Sequence, residues 1–192
     1  MRLPVWNRKK MVADPAIAET QPQSHSDRFC ELFEEYQPAL RRLVSAYVTN
    51  SADREDLLQE IAAGIWKSLP GFRGDSSERT WIYRIAHNIA IRGSFQVRRR
   101  SAREPELEHS LDRAAGGASA EEIVLRDEKR RALLNCIRNL PLAERQIVTL
   151  HLEGLSAAEI EEVTGFSAGA VATRLTRIRQ KLTEQVQGGR GQ

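Results

Sequence analysis

The stretch Leu155–Leu182, LSAAEIEEVTGFSAGAVATRLTRIRQKL, decides how this chain folds. Ser156 stands three residues before Glu159, the spacing of a capping box, in which a hydroxyl and a carboxylate satisfy free N–H groups at a helix start. Gly165 follows where the chain must turn sharply, a place that favours a residue tolerating positive φ. Ser167 can cap a second helix, along which Val171, Leu175, Ile178 and Leu182 recur at helical spacing as one apolar stripe. The other faces carry Thr173, Arg174, Thr176, Arg177, Arg179 and Lys181. From Val171 to Lys181 there are four basic residues and no acidic one. A short helix, a glycine turn and a basic amphipathic helix make a helix-turn-helix, whose second helix enters the DNA major groove. A helical hairpin with a solvated basic face is the plainer alternative. Agreement of capping box, turn, stripe and one-signed charge favours the DNA-binding reading.

Outward from that stretch, the pattern is helical throughout. Phe29, Leu32, Phe33 and Tyr36 share one face, and Leu40, Leu43, Val44 and Tyr47 continue it after Pro38. Ser51 or Asp53 opens a second helix with acidic residues in its first turn, which suits the helix dipole. Its apolar side is Leu57, Leu58, Ile61, Ile65, Trp66 and Leu69, and Pro70-Gly71 ends it. A loop to Ser77 precedes a third helix from Glu78 or Arg79, with Trp81, Ile82, Ile85, Ile89 and Phe95 along it. The pattern vanishes between Ser101 and Ala118, where Pro105 and Gly116-Gly117 stand. Ser119 with Glu122 opens a long helix to about Asn139, and Pro141 begins the helix Leu142–Leu152. Nothing reads as a strand. The expectation is an all-α chain: a disordered lead-in over 1–25, a helical domain over 26–97, a flexible linker over 98–118, a helix-turn-helix domain over 119–185 and a disordered tail over 186–192.

With 192 residues, the chain suffices for one or two small domains. Its net charge of +3 is modest, so the placement of basic residues matters more than their sum. One cluster is the last helix; another is Arg98–Arg100 with Arg103. Cys30 and Cys136 lie far apart without metal-ligand spacing and read as small apolar residues in a reducing cytosol. No run approaches the roughly 18 apolar residues of a membrane span, and no signal peptide follows Arg8-Lys9-Lys10. A cytoplasmic protein without direct membrane insertion is expected, with no cofactor and no metal.

The first domain has features that a plain helical bundle does not need. The helix DREDLLQEI places Asp53, Asp56, Gln59 and Glu60 along its polar side, a face suited to a basic partner surface. The third helix gathers Trp81, Tyr83, Arg84, His87 and Asn88, mixing aromatic rings with bases and amides. Unpaired bases are held by stacking on aromatics, and phosphates are met by arginine.

The strings DREDLLQEI, FRGDSSERTWIYRIAHNIA and LPLAERQIV, with LEGLSAAEIEEVTGFSAGAV and RLTRIRQKL, resemble the extracytoplasmic-function (group 4) sigma factors of bacterial RNA polymerase, members of the sigma-70 family. The resemblance spans both helical domains in order. It implies that Asp53, Asp56, Gln59 and Glu60 bind the β′ clamp helices of core RNA polymerase. It implies that Arg84, Asn88 and Arg92, supported by Trp81 and Tyr83, bind the −10 element of promoter DNA, Asn88 matching a position that holds a flipped base. It also implies that Ala172, Thr173, Arg174 and Arg177 read the −35 element, with Arg179 and Lys181 nearer the backbone, and that an anti-sigma factor holds the protein inactive. The chain departs from the family at three points. Ala172 stands where Lys or Arg is common, removing a donor that could fork to guanine. Ile91 replaces a polar or basic residue. Gly64 interrupts the clamp-binding helix at a cost of about 1 kcal/mol relative to alanine.

The resulting expectation is a transcription-initiation subunit that is not an enzyme. Trp81 reads equally as core or as a stacking platform. His109 and His151 read as surface residues. A helix-turn-helix transcriptional regulator that is not a polymerase subunit would explain the C-terminal half but neither the acidic helix nor the aromatic-basic one. A recombinase or nuclease would need a nucleophile or an acidic metal cluster, and His87 beside Asn88 supplies neither.

Overall fold

The computed structural model describes residues 24–101 and 120–188, with the side chains of 98, 100–101, 120–127 and 185–188 left aside. Its helices are α1 (His25–Ser45), α2 (Ser51–Ser68), α3 (Glu78–Ser101), α4 (Ala120–Asn139), α5 (Leu142–Leu152), α6 (Ala157–Thr164) and α7 (Ala168–Gly188), with a 3-10 turn over Leu69–Gly71. Among the described residues there is no strand, and the fold is all-α with two helical domains. No described helix is long and apolar enough to cross a membrane.

Each helix start has a local cause. Ser24 accepts from the Asp27 N–H at 3.2 Å and caps α1, so the helix opens inside the expected lead-in. Pro38 lies within α1 without ending it; burial of Leu40, Leu43 and Val44 beyond it offsets the roughly 3 kcal/mol a proline costs in a helix. Asn50 caps α2, its Oδ1 accepting from the Ala52 N–H at 2.7 Å, so the helix begins at Ser51, the earlier of the two starts read from the sequence. Ser77 caps α3 by accepting from the Thr80 N–H at 3.0 Å. α3 then runs to Ser101 rather than ending before 98, since no glycine or proline interrupts Gln96–Ser101. α7 continues through 186–188, into the expected tail. From 102 onward the expected 98–118 linker lies outside the described residues, as do the Ser119 cap, the lead-in before 24 and the tail beyond 188.

In the first domain α2 packs on both α1 and α3. Leu40, Leu43, Leu57, Leu58, Ile61, Ile65, Ile82, Ala86 and Ala90 fill its core. A Cβ at Gly64 would stand 2.6 Å from Ile89 Cδ1, and one at Gly93 would stand 2.5 Å from Leu57 Cδ1. The glycine that reads as a flaw in α2 is therefore a close-approach site, matched by a second on α3. In the second domain Ile137, Leu140, Ile147, Leu150, Leu155, Ile160, Val171, Leu175 and Ile178 are buried among α4 to α7. At the end of α1, the Arg138 guanidinium donates to the Ser45 carbonyl at 3.0 and 2.8 Å, bringing α4 against the first domain.

Candidate nucleic-acid interface

The helix-turn-helix forms as its sequence dictates. Ser156 Oγ accepts from the Glu159 N–H at 3.2 Å, and the Glu159 carboxylate accepts from the Ser156 N–H at 2.8 Å. Those bonds hold the Glu159 carboxyl below the usual carboxylate range. Gly165 closes α6 at φ 78°, its N–H reaching the Glu161 carbonyl at 2.7 Å. Ser167 accepts from the Ala170 N–H at 3.3 Å. The Glu161 carboxylate accepts from the Ala168 N–H at 2.8 Å, a second cap on α7 placed by α6. Sequence spacing does not reveal that bond, because it crosses the turn.

α7 buries Val171, Leu175 and Ile178 and turns Ala172, Thr173, Thr176 and Arg177 outward. Arg177 has no partner among the described residues. Arg174 is half-buried, its guanidinium 4.8 Å above the centre of the Phe166 ring, which fixes its direction. The two residues placed nearer the backbone face α5 instead. Lys181 Nζ pairs with Glu144 at 2.9 Å, and the Arg179 guanidinium donates to His151 Nε2 at 3.1 Å. Both of those side chains on α7 remain exposed.

On α3, residues 81, 84, 85, 88, 92 and 95 fall along one stripe at helical spacing. Trp81 is half-buried and packs on Phe72, with ring centres 4.9 Å apart, so the loop before α3 supports it. Asn88 and Arg92 are exposed. Phe95 is 51% exposed on the same stripe, an aromatic with no ring partner among the described residues, where the sequence pattern alone places it on the apolar side. Its distance of three and seven residues from Arg92 and Asn88 is the signal that marks it. Tyr83 stands apart from this stripe: it is 2% exposed, on the opposite side with Ala86, His87 and Ala90. Its hydroxyl donates to Glu153 of the second domain at 3.4 Å. Arg84, at the stripe's edge, pairs with Glu162 at 3.7 Å. His87 is buried, hydrogen-bonded to the Tyr47 hydroxyl at 3.3 Å, and burial lowers its pKa to about 4.

On α2, Asp56, Gln59 and Glu60 are exposed along one side, while Asp53 is half-buried where Asn50 caps the helix. Three polar faces thus stand on a two-domain helical scaffold: the acidic side of α2, the aromatic-basic stripe of α3 and the basic outer face of α7.

The chain matches the family descriptions Sigma-70 region 2 over residues 32–103 and Sigma-70, region 4 over residues 130–182. It is 32% identical over 185 residues to the ECF RNA polymerase sigma-E factor of Escherichia coli strain K12, covering 93% of this chain and 96% of that one. The factor of the same name from Haemophilus influenzae is 30% identical, covering 93% and 97%. The fold also resembles two solved structures. One is sigma factor RpoE in complex with the anti-sigma factor NepR from Bartonella quintana, at TM-score 0.64, 20% identity and coverage of 83% and 97%. The other is CnrH in complex with the cytosolic domain of CnrY, at TM-score 0.62, 23% identity and coverage of 85% and 90%. A helical domain with an acidic face, joined to a capped helix-turn-helix and matched along nearly its whole length, makes the chain a member of the sigma-70 family, an extracytoplasmic-function RNA polymerase sigma factor.

Proposed function

We propose that the chain works in the cytoplasm as a promoter-specificity subunit of RNA polymerase, with no catalysis of its own. The exposed side of α2, with Asp56, Gln59 and Glu60 and with Asp53 at its start, docks on a basic surface of core polymerase, the β′ clamp helices. Trp81, Asn88, Arg92 and Phe95 on α3 receive unpaired bases and backbone of the −10 element, and Arg84 joins them when Glu162 releases it. Ala172, Thr173, Arg174 and Arg177 on α7 read the −35 element. Arg179 and Lys181 flank the reading face through their bonds to α5. Tyr83 positions α3 from behind rather than touching DNA. An anti-sigma factor is the expected negative partner.

The single observation that carries this reading is the exposed aromatic and amide stripe on α3. A regulator that only binds duplex DNA through α7 has no use for an exposed Phe95 beside Asn88. Capture of unstacked bases stabilises the open strand, so recognition and melting become one act of differential binding. Transcription in vitro with core polymerase over a promoter library tests it. Initiation from promoters sharing two separated motifs is expected; no initiation from any promoter rejects the reading.

A further inference from the structure

Glu153, at the turn between α5 and α6, has a carboxylate whose partners among the described residues all belong to the first domain. Its side chain is 7% exposed. The Arg42 guanidinium donates to it through Nε at 2.9 Å and Nη2 at 2.6 Å, a forked pair. The Tyr83 hydroxyl donates to the same carboxylate, and Arg79 donates to the Glu153 backbone carbonyl. Residue 154 is glycine at φ 81°, and a Cβ there would stand 3.2 Å from the Arg79 guanidinium. Only glycine meets both the left-handed backbone and the close guanidinium. Two more contacts flank this one: Arg84 with Glu162, and Arg138 with the carbonyl at the end of α1. A carboxylate this covered is stable only while its arginine holds it.

We infer that Glu153 is an autoinhibitory clasp, holding the two domains together and occupying arginines of the first domain with a carboxylate in place of DNA phosphate. The inference rests on the sigma reading for its consequence. Elements centred near −35 and −10 lie about 25 base pairs apart, about 85 Å along straight DNA at 3.4 Å per pair. In the clasped chain α6 packs on α3 and α7 packs on α6. The two DNA-facing helices are then separated by one helix layer of roughly 10 Å. Even the full length of α7, 21 residues or about 31 Å, does not close that gap. Two-point promoter binding therefore requires the clasp to open. Opening frees Arg42, Arg79 and Arg84 together, and arginine takes phosphate oxygens with the same fork that it offers Glu153. DNA backbone thus competes directly with Glu153 and Glu162 for the arginines that hold the domains shut.

The test uses the full chain with Cys30 and Cys136 changed to serine and spin labels on Lys67→Cys and Gln180→Cys, both exposed positions, one per domain. Pulsed-dipolar distances are measured without polymerase or DNA. A single short distribution is expected for Glu153 intact. Glu153→Gln and Arg42→Ala should each lengthen and broaden it, with helicity by circular dichroism unchanged. Glu153→Gln should also bind a duplex carrying both promoter elements several-fold more tightly, because the binding-competent fraction rises. Distributions unchanged by both substitutions overturn the clasp, whatever transcription assays give. Clasp opening in a chain that supports no transcription with core polymerase leaves the clasp standing and rejects the sigma reading instead.

Discussion

Arg177→Ala separates promoter reading from every structural role in the second domain. Arg177 is exposed on α7, and no described residue bonds to it. Its loss removes no hydrogen bond or ion pair among the described residues, so stability should stay within about 0.5 kcal/mol of the parent. Arg174 would not serve, because it also packs on Phe166; nor would Lys181, whose ammonium is engaged by Glu144. A forked contact from arginine to guanine is worth about 1–3 kcal/mol of discrimination. Ala172 offers no long donor, and Arg174, the other one on this face, is directed by its packing on Phe166, so neither takes over the lost contact. Promoter affinity of the holoenzyme should therefore fall by about 5- to 150-fold, with the loss confined to changes in the −35 element. Fluorescence anisotropy on promoter fragments measures this, and a pull-down with core polymerase supplies the control. An equal loss of core binding and promoter binding would refute the assignment of α7. So would an unchanged affinity with unchanged −35 preference.

Further outcomes follow from other positions. Gly165→Ala places a side chain at φ 78° with open space around it, so thermal unfolding should show a loss of about 1–2 kcal/mol from the backbone alone; an unchanged Tm contradicts that. His87 carries a folded pKa of about 4 against an ordinary 6.5. The unfolded chain takes up this proton first as pH falls, so stability should decline from about pH 6.5 down to 4, by at most about 3.4 kcal/mol. Urea midpoints of His87→Leu should lack that decline; a parallel pH dependence in both proteins excludes His87 as its source. Phe95→Ala removes an exposed ring and should leave Tm nearly unchanged, while open-complex formation, read by permanganate footprinting of the −10 region, weakens by about 1–3 kcal/mol for one lost base stack.

Local order was readable along the chain because its signals are local. The capping box at Ser156 and Glu159, the turn at Gly165 and the stripe Val171–Leu182 need only spacing to recognise. What spacing does not give is the neighbour across a gap. Tyr83 read as support for bound DNA, yet it is two residues past Trp81 and hence on the far side of α3. The run Tyr83, Ala86, Ala90 and Ser94 marks that buried side, and small residues there let α3 sit close to its neighbours. The sequence shows the charge of Lys181 and Arg179 but not Glu144 and His151, more than 25 residues away, that meet it. Gly64 looked like a cost because helix propensity counts the single helix, and its benefit lies in the second helix that it admits. Glu153 carried no sequence signal at all: an acidic residue before a turn glycine is ordinary until Arg42 closes on it.

The paired glycines of α2 and α3 carry a consequence for how this sequence can drift. Gly64 leaves room for Ile89, and Gly93 leaves room for Leu57. Each pair behaves as one volume shared between two helices. A larger residue at 64 calls for a smaller one at 89, and the same holds for 93 and 57. Because α2 carries the acidic side and α3 the aromatic stripe, those two exchanges also set the spacing between them. Among descendants of this chain, substitutions at these four positions should arrive in matched pairs, while the exposed side chains of the two helices change independently of those exchanges.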